Sequence, residues 1–295
     1  MTKPRRVHPL TLAAAFALLI ALLGGMVFAA LHHGTPVRFG LTPGAQAFGT
    51  ARLLQYASPQ YTPVMYSEED TVLRALDNHL LDAALISAES ALALPEDTYE
   101  IRGVFSVTDL LVLSNEETVL NLQSLSGRTL IVPQTLQGSK EESMLLQLLQ
   151  DADTAGINLV YARSLAATWQ QHPGAVVLVS LHELDTALSA LPALSVRFRL
   201  SSAWRDLYFT VPPAGHCIVA RRDINGTGTF TAFEKHLRDS MTYADRKRKK
   251  TIAMAVEAGI FSNETQAEQL IDHMSFTYHE GKDMKASLAA FEALQ

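Results

Sequence analysis

The sequence is poor in cysteine and in charged residues, and each shortage excludes a class of protein. Cys217 is the only cysteine in 295 residues, so no disulfide can form within the chain. Its apolar neighbours Ile218 and Val219 favour a buried thiol over a reactive one. Charged residues make up 18% of the chain and hydrophobic residues 48%, a balance typical of a globular protein and not of a disordered one.

Positive charge is also scarce, since 24 lysines and arginines face 30 aspartates and glutamates and the formal net charge is -6. A nucleic-acid-binding protein needs a basic stripe that neutralises phosphates. We therefore expect no nucleic-acid partner. The one basic run, residues 246–250, is interpreted as a solvated helix face, with anionic lipid headgroups or an acidic loop of a membrane protein as the alternative contact.

The motifs of common enzyme classes are missing as well. The chain contains no G-x-S-x-G nucleophile elbow, no Walker glycine loop, no G-x-G-x-x-G after a strand and no H-E-x-x-H. His273 and His279 are six residues apart, which does not place them on one helical face. His182 and Glu183 follow a predicted strand, where a polar ligand contact or a surface turn is favoured over an acid and base pair. We therefore expect no enzyme activity, no metal and no cofactor.

One long uncharged apolar run is present, and it lies at the N-terminus. Lys3, Arg5 and Arg6 precede the run from Leu10 to Leu31, a pattern typical of an export signal. About twenty apolar residues are also long enough to span a bilayer. Residues 1–33 are therefore interpreted as either a cleaved signal peptide or a retained membrane anchor. In both cases the rest of the chain is exported, and we expect a periplasmic or other extracytoplasmic location.

Two stretches of the chain share one order of predicted elements, in which three strands alternate with two helices. The predicted strands are 37–41, 62–66 and 82–86 in the first stretch, and 129–132, 159–161 and 175–179 in the second. The nearly continuous apolar character of the strand 82–86 is typical of strands in parallel sheets. The fold class is therefore α/β, with two lobes that each contain a mostly parallel sheet flanked by helices.

The polar stretch 114–123 is predicted to be the first crossing between the lobes, and residues 211–215 the return. Lobe 1 would then be discontinuous, with residues 34–122 and 214–295, and lobe 2 would contain residues 123–213. Helical periodicity from Phe230 to about Ala258, and again at 265–274, predicts helices that pack on lobe 1.

Candidate ligand contacts follow from the topology of parallel sheets, because ligands bind beyond the carboxyl ends of the strands, near helix N-termini. Gly138 permits close approach of the backbone to a ligand, and Ser139 with Glu142 forms a capping box. Ser139 and Ser67 each have the alternative role of only capping a helix. The same loops contain further candidates, for which a simple turn or a core position is the alternative: Thr42, Gln46, Phe48, Ser87, Gln137 and Glu183.

Three stretches resemble the periplasmic substrate-binding proteins of ABC transporters, in the group that handles nitrate, sulfonates, taurine and thiamine-pyrimidine precursors. The matching stretches are 37–40, then 71–76 with 81–86, and 122–133. The resemblance covers most of residues 37–295. The chain departs from the group's pattern in having a short, glycine-free segment between the first helix and the second strand, and in having no cysteine for a lipid anchor.

This resemblance implies a clamp of the type II two-lobed class that captures a small polar or anionic organic solute and delivers it to a membrane permease. It also implies a monomer without a cofactor. The contacts that it implies are Gln46, Ser87, Thr108, Gln137 and Ser139.

Two other functions fit the same pattern. A retained anchor would suit a membrane-tethered ligand sensor, and pyrimidine-precursor synthases are enzymes that resemble this group. The charge of the ligand is open as well. Helix dipoles favour an anionic or polar group, whereas acidic residues near the same rim favour an amine; these are Glu68, Glu69, Asp70 and Glu183.

Overall fold

The computed structural model describes residues 35–56, 58–274 and 278–294. The predicted export segment, residues 1–33, lies outside these ranges. Within them, no helix combines the length and apolar character needed to cross a membrane.

The described residues form two five-stranded sheets, each of which is the centre of one lobe. The ten strands are β1 (Val37–Leu41), β2 (Tyr61–Met65), β3 (Ala83–Ser87), β4 (Tyr99–Val107), β5 (Leu110–Ser114), β6 (Thr129–Pro133), β7 (Asn158–Ala162), β8 (Val176–Ser180), β9 (Ser195–Arg199) and β10 (Ala214–Arg221). The first sheet has the order β2-β1-β3-β10-β4 and the second the order β7-β6-β8-β5-β9.

The two sheets have the same topology, which confirms the predicted two-lobed α/β fold. In each sheet three strands are parallel, and the two remaining pairings are antiparallel. The sheets are therefore mixed, because β5 and β10 enter their sheets from the crossing between the lobes. A strand that enters at the edge where the parallel strands end must run in the opposite direction.

Eleven α-helices flank these sheets within the described ranges. They are α1 (Ala51–Gln55), α2 (Glu69–Asp77), α3 (Ala88–Ala93), α4 (Lys140–Asp151), α5 (Leu165–Gln171), α6 (Leu184–Ala190), α7 (Leu200–Tyr208), α8 (Gly228–Arg246), α9 (Arg248–Glu257), α10 (Glu264–Ile271) and α11 (Gly281–Ala293). A short 3-10 helix, Ala45–Thr50, precedes α1.

Two predictions about the helices are wrong. The helix predicted from Phe230 to Ala258 is divided at Lys247, where φ is -129° and ψ is 42°. Neither glycine nor proline marks this break, which turns the chain so that α9 packs against α1 and α10. Ser67 does not cap α2, because Glu68 occupies the cap position and no side chain bonds to the first turn.

The first crossing between the lobes also lies earlier than predicted. β4 belongs to the first sheet and β5 to the second, so the chain crosses at Thr108 and Asp109 and not at residues 114–123. The lobe boundary predicted at 122 therefore moves to the start of β5. The two strands lie in one extended, mostly apolar segment, in which no turn signal marks the change of sheet. The return crossing runs from the end of α7 to the start of β10.

The two crossings pack directly against each other. The Thr108 amide donates to the Pro213 carbonyl at 2.8 Å, and the Thr108 hydroxyl donates to the Ala214 carbonyl at 2.9 Å. Gly215 lies so close that a Cβ at this position would stand 2.8 Å from the carbonyl carbon of Val107. The crossings therefore form one hydrogen-bonded unit, in which the chain segments are in backbone contact.

Further contacts join the lobes and the crossings. Helix α10 packs against α6 of the second lobe. The Ser287 hydroxyl of α11 donates to the Pro212 carbonyl of the return crossing at 2.6 Å. Near the end of α11, Phe291 is buried in the core of the first lobe and Leu294 in the core of the second.

We expect Gly215→Ala to destabilise the protein, because the new methyl group forces the two crossings apart. Overpacking of this kind lowers the free energy of unfolding by about 1–3 kcal/mol. The matched control is Gly228→Ala at the start of α8, where a Cβ would have nothing within 4 Å and where alanine favours the helix. Chemical denaturation of both variants tests this, and equal stabilities would contradict the close packing.

Candidate functional site

A cavity of about 330 Å³ lies between the two lobes. The first lobe contributes Gln46, Ser87, Phe105, Ser106 and His216 to its lining, and the crossing contributes Thr108 and Asp109. The second lobe contributes Leu136, Glu141, Ser180, Leu181, His182 and Arg199. The carboxyl ends of β3 and β8 face this space, which is where parallel sheets place ligands.

Three of the ten predicted ligand contacts, Gln46, Ser87 and Thr108, line this cavity. The other seven do not: Thr42, Phe48, Ser67, Gln137, Gly138, Ser139 and Glu183. Phe48 is fully buried in the core, with its ring centroid 5.9 Å from that of Phe261. The sequence could not separate these cases, because a wall position and a core position both favour an aromatic residue.

The loop after β1 is held by its own side chains. The Gln46 amide nitrogen donates to the Pro43 carbonyl at 2.9 Å and to the Thr42 hydroxyl at 3.3 Å. Gly44 has a φ of 125°, a value that favours glycine. Thr42 therefore supports Gln46 at the edge of the cavity and does not line it.

The loop after β3 surrounds an internal carboxylate. Glu69 of α2 accepts hydrogen bonds from the Ser87 amide at 2.9 Å, the Ser87 hydroxyl at 2.7 Å and the Ser90 hydroxyl at 2.6 Å. Burial raises the pKa of the Glu69 carboxyl, but the hydrogen bonds from Ser90 and Ser87 outweigh it and hold the pKa below its usual value. Glu69 thus satisfies the donors at the start of α3.

His216 lies between two serines across the first sheet. It is the register partner of Ser87 on β3 and of Ser106 on β4. Its Nδ1 is 3.1 Å from the Ser106 hydroxyl. Burial lowers the pKa of His216, whereas Glu69 and Glu141 act to raise it. The imidazole is therefore a neutral polar group in the wall of the cavity.

An ion pair closes the cavity at the crossing. The Arg199 Nε donates to the Asp109 carboxylate at 2.6 Å, and the Arg199 Nη2 donates to the same oxygen. The Ser201 amide donates to the other oxygen at 3.3 Å. The side chains are 21% and 9% exposed. Burial raises the pKa of the Asp109 carboxyl, and the Arg199 guanidinium opposes this shift.

In the second lobe, as in the first, carboxylates of the chain accept hydrogen bonds from the loops that follow the strands. Glu142 accepts from the Gly138 amide at 2.5 Å, while the Ser139 hydroxyl accepts from the Glu142 amide at 3.2 Å. The predicted capping box is thus present, except that Glu142 reaches Gly138 and not Ser139. Glu183 accepts from the Ser180 hydroxyl at 3.0 Å and lines a neighbouring groove of about 640 Å³ on the second lobe.

The sequence analysis missed His216, Ser106, Asp109 and Arg199. None of them follows a parallel strand and leads into a predicted helix, so the topological rule did not select them. The available signal was the polar pair Thr108 and Asp109 within an apolar extended segment. In the described part of the chain, no cluster of histidine, cysteine, aspartate or glutamate is arranged to hold a metal ion.

We expect Asp109→Ala to lower the free energy of unfolding by about 3 kcal/mol, because it leaves Arg199 partly buried without its partner. Asp223→Ala is the control. Its carboxylate pairs with Arg221, but the side chain is 61% exposed, and such pairs contribute less than about 1 kcal/mol. Urea denaturation of both variants measures the change in the free energy of unfolding. A change for Asp109→Ala as small as that for Asp223→Ala would refute a structural role for the Arg199–Asp109 ion pair.

The lowered pKa of Glu69 predicts how the free energy of unfolding depends on pH. Its pKa in the folded protein lies below the ordinary value of 4.5, so its stabilising effect is full above that pH and is lost as the pH falls through the folded-state value. Glu69→Gln should therefore be less stable than the unmodified protein at pH 7, and the gap should narrow below about pH 4.5. Denaturation midpoints across this range measure the gap, and a constant difference would contradict the assignment.

No family model matches the chain, and no curated protein is similar to it in sequence. Solved structures are similar in fold. An ABC transporter structure from Parabacteroides distasonis has a TM-score of 0.65 and 18% identity, covering 88% of this chain and 92% of that one. The periplasmic aliphatic sulphonate binding protein SsuA from Escherichia coli has a TM-score of 0.57 and 16% identity, covering 88% and 85%.

The alkanesulfonate-binding protein SsuA from Xanthomonas axonopodis pv. citri, bound to MOPS, has a TM-score of 0.51 and 15% identity, covering 89% of this chain and 95% of that one. At these identities the likeness concerns the fold. Together with the paired five-stranded sheets and the cavity between them, it establishes that the chain has the two-lobed fold of the periplasmic binding proteins.

Proposed function

We propose that this protein is an extracytoplasmic solute-binding protein that captures a small organic solute between its lobes and delivers it to an ABC transporter permease. The observation that carries the proposal is the cavity of about 330 Å³, which is lined by both sheets and by the crossing. A solute there would contact both lobes at once. The volume lies at the small end of the range of about 300–1,000 Å³ that is typical of ligand pockets.

Capture follows from the way the lobes are joined. Thr108 bonds the two crossings together, so a rotation of one lobe against the other would be absorbed in a few residues of this unit. A solute that contacts both lobes binds the closed arrangement more tightly than the open one and shifts the population towards it. The change of shape is what a membrane partner would recognise.

Two features support the delivery step. The predicted export segment, residues 1–33, would carry the body of the protein across the membrane. Several proteins with this fold are named as parts of ABC transporters or as sulfonate-binding proteins. Cross-linking of the protein to membranes of the cell that produces it, with and without solute, tests this step separately from solute binding; capture of no permease would contradict it.

Binding without turnover is the role that the cavity chemistry favours. Cys217 is buried, and burial raises the pKa of its thiol to about 12, which removes it as a nucleophile. The Ser106 hydroxyl contacts Nδ1 of His216, and the buried, neutral imidazole serves as a polar contact. Recovery of the bound solute unchanged after prolonged incubation would support this role, and a chemically altered product would overturn it.

A thermal-shift panel of small organic solutes tests the proposed function. A solute at about a hundred times its Kd stabilises the folded protein by roughly 2.7 kcal/mol. We expect Gln46→Trp to abolish the shift, because the indole fills the cavity from a partly buried position in the 3-10 helix. Gln150→Trp, an exposed position on α4, should keep it. Retained binding in Gln46→Trp would place the solute elsewhere.

A further inference from the structure

At the end of β3 in the first lobe, the position that would receive an anion is already occupied. Unpaired amides at strand ends and helix N-termini are where such folds bind anionic groups. After β3, the Ser87 amide and hydroxyl and the Ser90 hydroxyl all donate to the Glu69 carboxylate. An incoming sulfonate or carboxylate would have to displace this charge and would be repelled by it.

The second lobe has the same arrangement at three places. Glu142 accepts the Gly138 amide before α4. Glu183 accepts the Ser180 amide at 3.3 Å, in addition to the Ser180 hydroxyl. At the start of α7, the Ser201 amide donates to Asp109. At each of these places, the donor that could hold an external anion is bonded to a carboxylate of the chain itself.

The described lining of the cavity also contains no lysine or arginine without a partner. Arg199 is the one lysine or arginine among its described lining residues, and Asp109 neutralises it. His216 is held neutral by burial. A sulfonate buried here would have no cation to compensate for its lost hydration, and an uncompensated buried charge is strongly unfavourable.

Glu141 is the one lining carboxylate, among the described residues, that has no partner. It belongs to the first turn of α4, and its side chain makes no hydrogen bond or ion pair with any described residue. Its charge nevertheless acts on His216 across the cavity. An acidic residue in the first turn of a helix interacts favourably with the helix dipole. That interaction does not explain why the Glu141 side chain lines a ligand cavity.

The remaining surface of the cavity is largely apolar. Phe105 and Met241 contribute from the first lobe, Leu136 and Leu181 from the second, and Met274 from the segment after α10. The two methionines adapt to irregular apolar shapes. This surface suits a hydrocarbon body, and Glu141 suits a cationic end.

We propose that the solute is a small organic cation, a protonated amine with an apolar body, whose nitrogen is bound by Glu141 inside the interlobe cavity. This inference rests on the proposed function and specifies its ligand. It separates this protein from the structurally similar sulfonate-binding proteins. Two features distinguish an amine-binding site from a sulfonate-binding one. The internal carboxylates accept the hydrogen bonds that a bound anion would accept, and Glu141 has no hydrogen-bond donor of its own chain.

The test compares matched ligands on the full chain, purified in mild detergent. Alkyl and phenylalkyl skeletons are each supplied as the primary amine, the alcohol and the sulfonate, and binding is measured by thermal shift and calorimetry. We expect amines to bind and the sulfonates of the same skeletons not to bind. Preferential binding of sulfonates or alcohols would overturn this inference while leaving the proposed function intact. No binding in any series would overturn both.

Glu141→Gln provides the second arm, because it removes the charge and keeps the shape. Loss of a charge-assisted hydrogen bond should weaken binding of the best amine by about 10- to 100-fold. The control is Glu89→Gln, a first-turn glutamate of α3 that is exposed and lies outside the cavity; it should leave affinity unchanged. Equal affinities of Glu141→Gln and the unmodified protein would overturn the role of Glu141. If Glu141→Gln does not fold, the ligand series decides alone.

Discussion

The structure depends on one contact, the packing of the two crossing segments against each other. Thr108 bonds both the Pro213 and Ala214 carbonyls, and Gly215 brings the two backbones together. This contact sets the positions of the strands that continue from it, because β5 and β10 begin where the crossing ends. It therefore places both Asp109 and His216 in the lining of the cavity.

Internal carboxylates accept hydrogen bonds from several of the buried amides in this protein. Buried amides at strand ends and helix N-termini need acceptors, since an unpaired buried donor costs about 1–3 kcal/mol. Glu69, Asp109, Glu142 and Glu183 supply them from within the chain. These four groups of donors are thereby satisfied without a ligand. Among the described residues that line the cavity, Glu141 is the carboxylate that has no hydrogen-bond or ion-pair partner.

Much of the fold was predictable from the sequence, and the failures have physical causes. Strands such as 129–132 were predicted because continuous apolar runs bounded by turns are a local signal. The break at Lys247 was not, because no glycine or proline marks it and the packing of α9 on α1 decides it. The first crossing was misplaced for a similar reason, since β4 and β5 belong to one extended segment whose change of sheet depends on distant partners.

The sequence by itself determined the two-lobed α/β fold, the order of the elements in the two repeated stretches and the segments that contain Gln46 and Ser87, because hydrophobic periodicity and turn residues act locally. The tertiary structure decided which side chains meet. His216 lies between Ser87 and Ser106 through sheet pairing, and Arg199 reaches Asp109 across 90 residues of chain. Such contacts depend on strand order and register, which arise only when the whole core is buried.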